Sequence, residues 1–290
     1  MNAQELVGLV LKTSIFLTVF GFGLQATRDD VGYLLRKPGL LVRSLVAMFL
    51  VMPLFAIFMT RAFDYDRAVT IALVALAISP VPPLLPRRVT KAGGREPYGI
   101  GLMVTATVLS IVFIPLALDV IGRIVDKPFA MAAGAVAKLV GVSALLPLAA
   151  GMAFHAVSPD TANRIAKPVA RVATVLLALG ALALLIAVFP VAWGLIGNGT
   201  ILVFVVFVVV GLAVGHLLGG PDPDERVTLA LSTACRHPAL AMAIAAANFP
   251  NEKRVAGAVI LYLILNALVS LPYISWQRRI MKSSTTPAVV

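Results

Sequence analysis

A chain of 290 residues has room for one or two soluble domains, but 60% hydrophobic residues, only 13% charged residues and a mean hydropathy of +0.98 exclude an ordinary soluble enzyme, a DNA-binding protein and a disordered segment. A formal net charge of +11 points to a polyanionic partner only in a soluble protein; here Lys and Arg gather in loops between apolar runs, so no nucleic-acid partner is expected. The single cysteine, Cys235, excludes an internal disulfide framework and a multi-Cys metal site, and His155, His216 and His237 have no metal-ligand spacing.

With about 20 residues needed to span a bilayer, the apolar runs predict an all-α integral membrane protein of about nine transmembrane helices. The first covers 6–24; it has Glu5 and no basic residue ahead of it, unlike a signal peptide, and is expected to stay as a membrane helix. The next runs are 39–62, 68–94, 97–120, 129–155, 169–189, 200–219, 226–249 and 254–276. An odd number of crossings puts the termini on opposite faces. Loops containing residues such as Arg28, Arg36, Lys37, Arg87, Arg88, Lys91, Arg95, Arg164, Arg171, Arg278 and Lys282 hold about twice as many basic residues as the opposite loops, which include Arg61, Arg67, Arg123, Lys127 and Arg254. This bias predicts an N-terminus outside and a C-terminus in the cytoplasm of a multi-pass cell-membrane protein, with Trp276 as an interface anchor.

Two runs do not read as simple helices. In the third, Ser79 is followed by Pro80, Pro82, Pro83 and Pro86, which remove backbone donors and clash with preceding carbonyls. In the eighth, Cys235, Arg236, His237 and Pro238 interrupt the span where an unpaired charge or peptide meets no water. A single break of this kind reads as a packed kink; two in corresponding parts of the chain are the signature of inverted-repeat transporters with a midplane binding site. All thirteen acidic residues fall in loops or at helix ends, leaving no carboxylate at depth for a cation or a proton relay. The groups at depth are positive or neutral: Arg236, His237, Ser79, Thr105, Thr107, Ser110, Ser232, Thr233 and Asn266. Arg236, at the start of a half-helix whose free amides carry partial positive charge, suits an anion, or else bonds carbonyls freed by the breaks. His237 beside a proline, and Asn266 in the last helix, read equally well as structural hydrogen-bonding groups. Arg87, Arg88, Lys91 and Arg95 read first as a topology-setting cluster and second as an anion-attracting vestibule. Asp29-Asp30 reads as a solvated helix start rather than a metal ligand pair.

The stretches Phe20-Gly21-Phe22-Gly23-Leu24, Arg36-Lys37-Pro38, Met52-Pro53, Ser79-Pro80 and Ala239-Leu240-Ala241 to Ala247-Asn248-Phe249 occur in the order in which they resemble the bile acid:sodium symporter family, from about Gly21 to Trp276. The resemblance implies inverted repeats with two discontinuous helices crossing near the midplane, a core of about 39–120 and 200–276, a panel of about 6–24 and 129–189, and alternating access. It also implies a substrate role for Asn266. In sodium-coupled members the eighth-helix break carries a Glu and a Gln-Asn pair where this chain has Ser232, Arg236 and His237, and the Gly-rich third-helix break becomes Pro82, Pro83, Leu84, Leu85 and Pro86. Sodium needs hard oxygen ligands, and a guanidinium in their place removes them and repels a cation.

These readings combine into a carrier for a small organic anion, not an enzyme, with no cofactor. Arg236, His237, Asn266, Ser79 and Thr107 are the candidate substrate contacts; Ser232, Thr233, Thr105 and Ser110 are the equivalents of an ion site from which sodium is not expected to gain support. Uniport, exchange and His237-linked proton coupling all remain open, and a membrane sensor retaining the fold without transport is the alternative. Nothing in the sequence bears on oligomeric state.

Overall fold

The structure is a computed structural model that describes residues 3–125 and 129–285; Asp126 and Lys127, assigned above to a loop, lie outside the described residues. Among the described residues every regular element is a helix. They are α1 (Ala3–Gly23), a single turn α2 (Arg28–Val31), α3 (Pro38–Ala62), α4 (Arg67–Ile78), α5 (Leu85–Ala92), α6 (Glu96–Val125), α7 (Ala133–Val157), α8 (Pro159–Trp193), α9 (Thr200–Leu218), α10 (Pro223–Ala234), α11 (Pro238–Asn248) and α12 (Val255–Thr285). Eight spans, counting α10 and α11 together, are long and apolar enough to cross a membrane. The expected crossing at 68–94 is broken into α4 and α5, neither long enough alone: twelve residues of helix reach only about 18 Å.

The helix ends follow local chemistry. Asp30 and Thr27 form a reciprocal capping box at α2, so the Asp29-Asp30 pair is a helix start as the sequence indicates. Within α3 and α7 the turns Val46–Val51 and Gly141–Leu145 widen to π geometry, each just ahead of a proline, Pro53 or Pro147. A proline ring collides with the carbonyl four residues back, and the widened turn relieves the collision without ending the helix. The run expected at 169–189 is the longer α8, which begins at Pro159, a residue preorganised for a first helical turn, and continues through Pro168.

Packing sorts the helices. The most apolar window of α8 is only 11% buried and faces outward, whereas that of Pro223–Asn248 is 72% buried and runs through the centre of the molecule. Close approach fixes both environments. On α9, a Cβ at Gly215 would lie 2.5 Å from Ala230 Cα of α10, and one at Gly211 2.8 Å from Ala234 Cα, so these backbones touch where a side chain has no room. Gly23 and Gly151 do the same for α1 and α7: either Cβ would meet a carbonyl oxygen of the other helix at 2.3 Å. α1 packs along both α7 and α8, with Ser14 Oγ donating to the Ala173 carbonyl at 2.9 Å.

Candidate functional site: the crossing of two broken helices

The two interruptions meet. α4 packs on α11 and α5 on α10, so the first half of each broken segment lies against the second half of the other. One peptide hydrogen bond joins them directly: the His237 amide donates to the Pro80 carbonyl at 2.9 Å. The breaks are shorter than the proline positions suggest. Ser79–Leu84 separates α4 from α5, and Pro86 stands in the first turn of α5, where its missing N–H has no carbonyl to serve. Likewise Pro238 is the first residue of α11, and the second break comprises Cys235, Arg236 and His237. Pro86 and Pro238 therefore start half-helices rather than interrupt them.

Backbone groups freed by the breaks are met by side chains, as burial requires. Arg236 is fully buried, and its Nη1 donates to the Met48 carbonyl on α3 and the Ser79 carbonyl at the end of α4, both at 3.2 Å. The Ala234 carbonyl, left over by α10, accepts from Tyr262 Oη at 2.6 Å and from Asn266 Nδ2 at 2.8 Å. Asn266 is held in turn by Arg88, which donates to its side-chain oxygen and, at 3.0 Å, to its carbonyl, and which also reaches Cys235 Sγ at 2.9 Å. The His237 ring caps α11, its Nδ1 accepting from the Leu240 amide at 3.3 Å. That acceptor role places the imidazole proton on Nε2 in the neutral ring.

At the crossing, among the described residues, three buried donors remain without a protein acceptor: Arg236 Nε, Arg236 Nη2 and His237 Nε2. The other candidates are occupied locally. Ser79 Oγ donates to the Ala75 carbonyl at 2.6 Å, Ser232 Oγ to Thr228 at 2.6 Å and Thr233 Oγ1 to Leu229 at 2.8 Å. Thr105, Thr107 and Ser110 stand on α6, where Ser110 Oγ bonds the Thr107 carbonyl, and none of them hydrogen-bonds either break among the described residues. The crossing thus joins Arg236, His237 and Ser79, holds Asn266 from one side through Ala234, and leaves the α6 hydroxyls apart.

A cavity of about 430 Å³ opens beside the crossing. It runs from Arg61 and Arg67 at the α3–α4 turn down to Ile78, the residue before the first break, and is walled by Ile244, Asn248 and Phe249 of the second half-helix region and by Ile121 of α6. The wall is mostly apolar, Arg67 lies over the Phe249 ring at 5.9 Å, and Arg61 donates to the Ile124 carbonyl at 3.2 Å. The sequence reading missed this space, because its lining comes from four segments that no local pattern connects.

At the opposite end of α10 the structure reveals a second feature. Glu225 sits at a helix end, as expected of the acids, yet is 4% exposed. Its Oε1 accepts from Lys37 Nζ at 2.5 Å, from Arg95 Nη1 at 2.9 Å and from Tyr33 Oη at 2.5 Å. These bonds, to Glu225 first and then to Tyr33, raise the Lys37 ammonium above its ordinary value. Arg88 and Arg95, read in the sequence as part of a basic cluster, thus also have partners within the protein, Asn266 and Glu225.

The sequence profile of the Sodium Bile acid symporter family matches residues 13–191, from α1 almost to the end of α8 and across the first break. The chain belongs to that family. Membership carries a multi-pass transporter architecture, in line with the spans described above. The matched region ends before α10 and α11, so in this family member the second break is known through its geometry. No curated protein matches the chain.

Proposed function

We propose that this symporter-family chain carries a small organic anion across the cell membrane by alternating access, with the anion received at the crossing and without sodium bound there. The observation that carries the reading is the set of three unpaired buried donors, Arg236 Nε and Nη2 and His237 Nε2, at the junction of the two breaks, with no carboxylate among their hydrogen-bonding neighbours. A buried donor without an acceptor costs about 1–3 kcal/mol, and an anionic oxygen supplies the acceptor these groups lack. The cavity ending at Ile78 suits the apolar body of such a ligand, and Arg61 and Arg67 line its mouth together with Asp64.

Sodium fits the donor set poorly. The Ser79 carbonyl accepts from a guanidinium, the Ala234 carbonyl already accepts two bonds, and the Ser232 and Thr233 hydroxyls turn back on their own helix. A cation about 4 Å from Arg236 would meet a repulsion of about 4 kcal/mol at an effective dielectric of 20. In the proposed reading, Arg236 takes the place of the coupling ion of sodium-dependent relatives.

In the cycle proposed, a core of about 39–120 and 200–276 moves against a panel of about 6–24 and 129–189. The close glycine contacts of α1 with α7 support treating the panel as one body. The orientation is N-terminus out and C-terminus in, which puts the cavity mouth outside. The test is thermal stabilisation and radiolabelled uptake in proteoliposomes for a panel of organic carboxylates and sulfonates, in sodium and in choline at equal ionic strength. Equal stabilisation in both salts, with uptake, is expected. Stabilisation confined to sodium overturns the ion reading, and binding without uptake replaces the carrier with a sensor of the same fold.

A further inference from the structure

One of the two carbonyls that hold Arg236 lies inside an unbroken helix, where a carbonyl ordinarily accepts from the main chain. The Ser79 carbonyl is free because α4 ends there. Met48 instead stands in the π turn of α3, Val46–Val51, and the freedom of its carbonyl needs a cause. Two residues could serve that oxygen, Met52 in α register and Pro53 in π register. The Met52 amide donates to Ala47, one residue earlier, and Pro53 has no N–H to give. Pro53 therefore leaves the Met48 carbonyl without a main-chain donor in a residue that is 0% exposed, and Arg236 Nη1 supplies one at 3.2 Å. α7 repeats the device without the arginine. There the Leu146 amide donates to Gly141 and Pro147 follows, so the Val142 carbonyl loses both donors in the same way, and no side chain donates to it among the described residues.

We propose that Pro53 is a positioning residue for the crossing: by emptying the Met48 carbonyl it fixes the Arg236 guanidinium through Nη1 and keeps Nε and Nη2 unpaired for a ligand. The proposal deepens the anion reading of the crossing and rests on it for the identity of that ligand. A guanidinium is rigid and planar, so holding one nitrogen between carbonyls of α3 and α4 sets the directions of the other two. An untethered arginine would have to be ordered by the ligand itself, and preorganisation removes that cost. A proline in α3 thus sets the geometry of a side chain in the second break.

The test is a double-mutant cycle on the full-length protein in detergent, read as melting temperature, with Arg236→Met as the background that lacks the guanidinium donors. An alanine at position 53 brings Met48 a main-chain donor, either its own amide or that of Met52 once the turn returns to α register. Pro53→Ala is expected to change the melting temperature of the wild type little, because a main-chain bond replaces the one from Arg236. In the Arg236→Met background it is expected to recover about half of the lost melting temperature, since one of the two stranded carbonyls regains a donor. Pro147→Ala is the control, with the same effect expected in both backgrounds. Should Arg236→Met not be recovered as folded protein, Arg236→Gln takes its place. The second readout is binding of the carboxylates and sulfonates of the uptake panel, benzoate and benzenesulfonate among them. Pro53→Ala is expected to bind about tenfold more weakly, as for one lost positioning bond, and Pro147→Ala as wild type does. A Pro53→Ala effect on melting that is equal in the two backgrounds overturns the proposal, and so does anion binding by Pro53→Ala at wild-type strength. Coupling between positions 53 and 236 in a protein that binds none of the panel upholds the positioning of Arg236 and overturns instead the reading of the crossing as an anion site.

Discussion

Arg236 Nη1 ties α3 to α4 through the carbonyls of Met48 and Ser79, while Nε and Nη2 stay unpaired. The sequence reading offered an anion contact or a carbonyl partner as alternatives, and one guanidinium, with five donors, has the geometry for both. Arg236→Gln is expected to lower stability by about 1.5–3 kcal/mol, since it removes charged hydrogen bonds to two buried carbonyls, and to abolish anion-dependent stabilisation; Arg236→Lys keeps a charge and is expected to fall between. Unfolding in detergent with and without anion checks this, and a Gln variant that still binds every anion would make Arg236 a clamp only. Ala234 offers a second residue-scale comparison. Its carbonyl accepts from both Tyr262 and Asn266, so Tyr262→Phe is expected to cost about 1 kcal/mol. Asn266→Ala is expected to cost more, because it also removes the side-chain oxygen that accepts from Arg88. Chemical denaturation gives the order of the two losses.

Among the elements, α10 is held at the centre by backbone contact with α9 rather than by large side chains. Gly215→Ala places a methyl group 2.5 Å from Ala230 Cα and from the Leu229 carbonyl, with no flexible atom to yield, and is expected to destabilise by about 1–3 kcal/mol. Gly134→Ala on α7 meets nothing within 4 Å and is expected to be neutral or slightly stabilising, through the smaller entropy of the unfolded chain. Melting temperatures of the two variants against wild type check the contrast, and equal effects would mean that the α9–α10 contact is looser than described. The half-helices show the same logic of local chemistry serving a distant purpose: prolines start α5 and α11, and the segment before α5 supplies the Ser79 and Pro80 carbonyls that Arg236 and His237 meet.

Across the whole molecule, the Glu225 cluster joins the α2–α3 connection, the start of α6 and the start of α10 at the face opposite the cavity mouth. Lys37→Met is expected to lower the melting temperature modestly, as Lys37 is partly exposed and solvent-screened. The sign of its pH dependence follows from the raised Lys37 value. The contact is fully present below the ordinary value of 10.5 and is lost as pH climbs through the higher folded value, so this contribution is flat from pH 6 to about 9. A melting-temperature difference between wild type and Lys37→Met that varied across that range would assign the contact to another titrating group.

Membrane residence, the helical class, the two breaks and the family were legible in the sequence, because apolar run length, proline and charge act over a few residues and leave local marks. The deep position of Arg236 and His237 was legible for the same reason: a charge inside an apolar run must be buried with partners. What met what was not. Lys37 and Glu225 are 188 residues apart, Arg88 and Asn266 178, and the cavity draws on four segments, so no window of sequence contains these pairings. Only the packing of α4 on α11 and of α5 on α10 decided which donors were satisfied, turning Arg88 and Asn266 into a fixed pair. The sequence by itself determined that polar groups would lie in the bilayer; the tertiary structure decided which of them are partners and which remain open to a ligand, because hydrogen bonding depends on distances of a few ångströms between elements that periodicity cannot bring together.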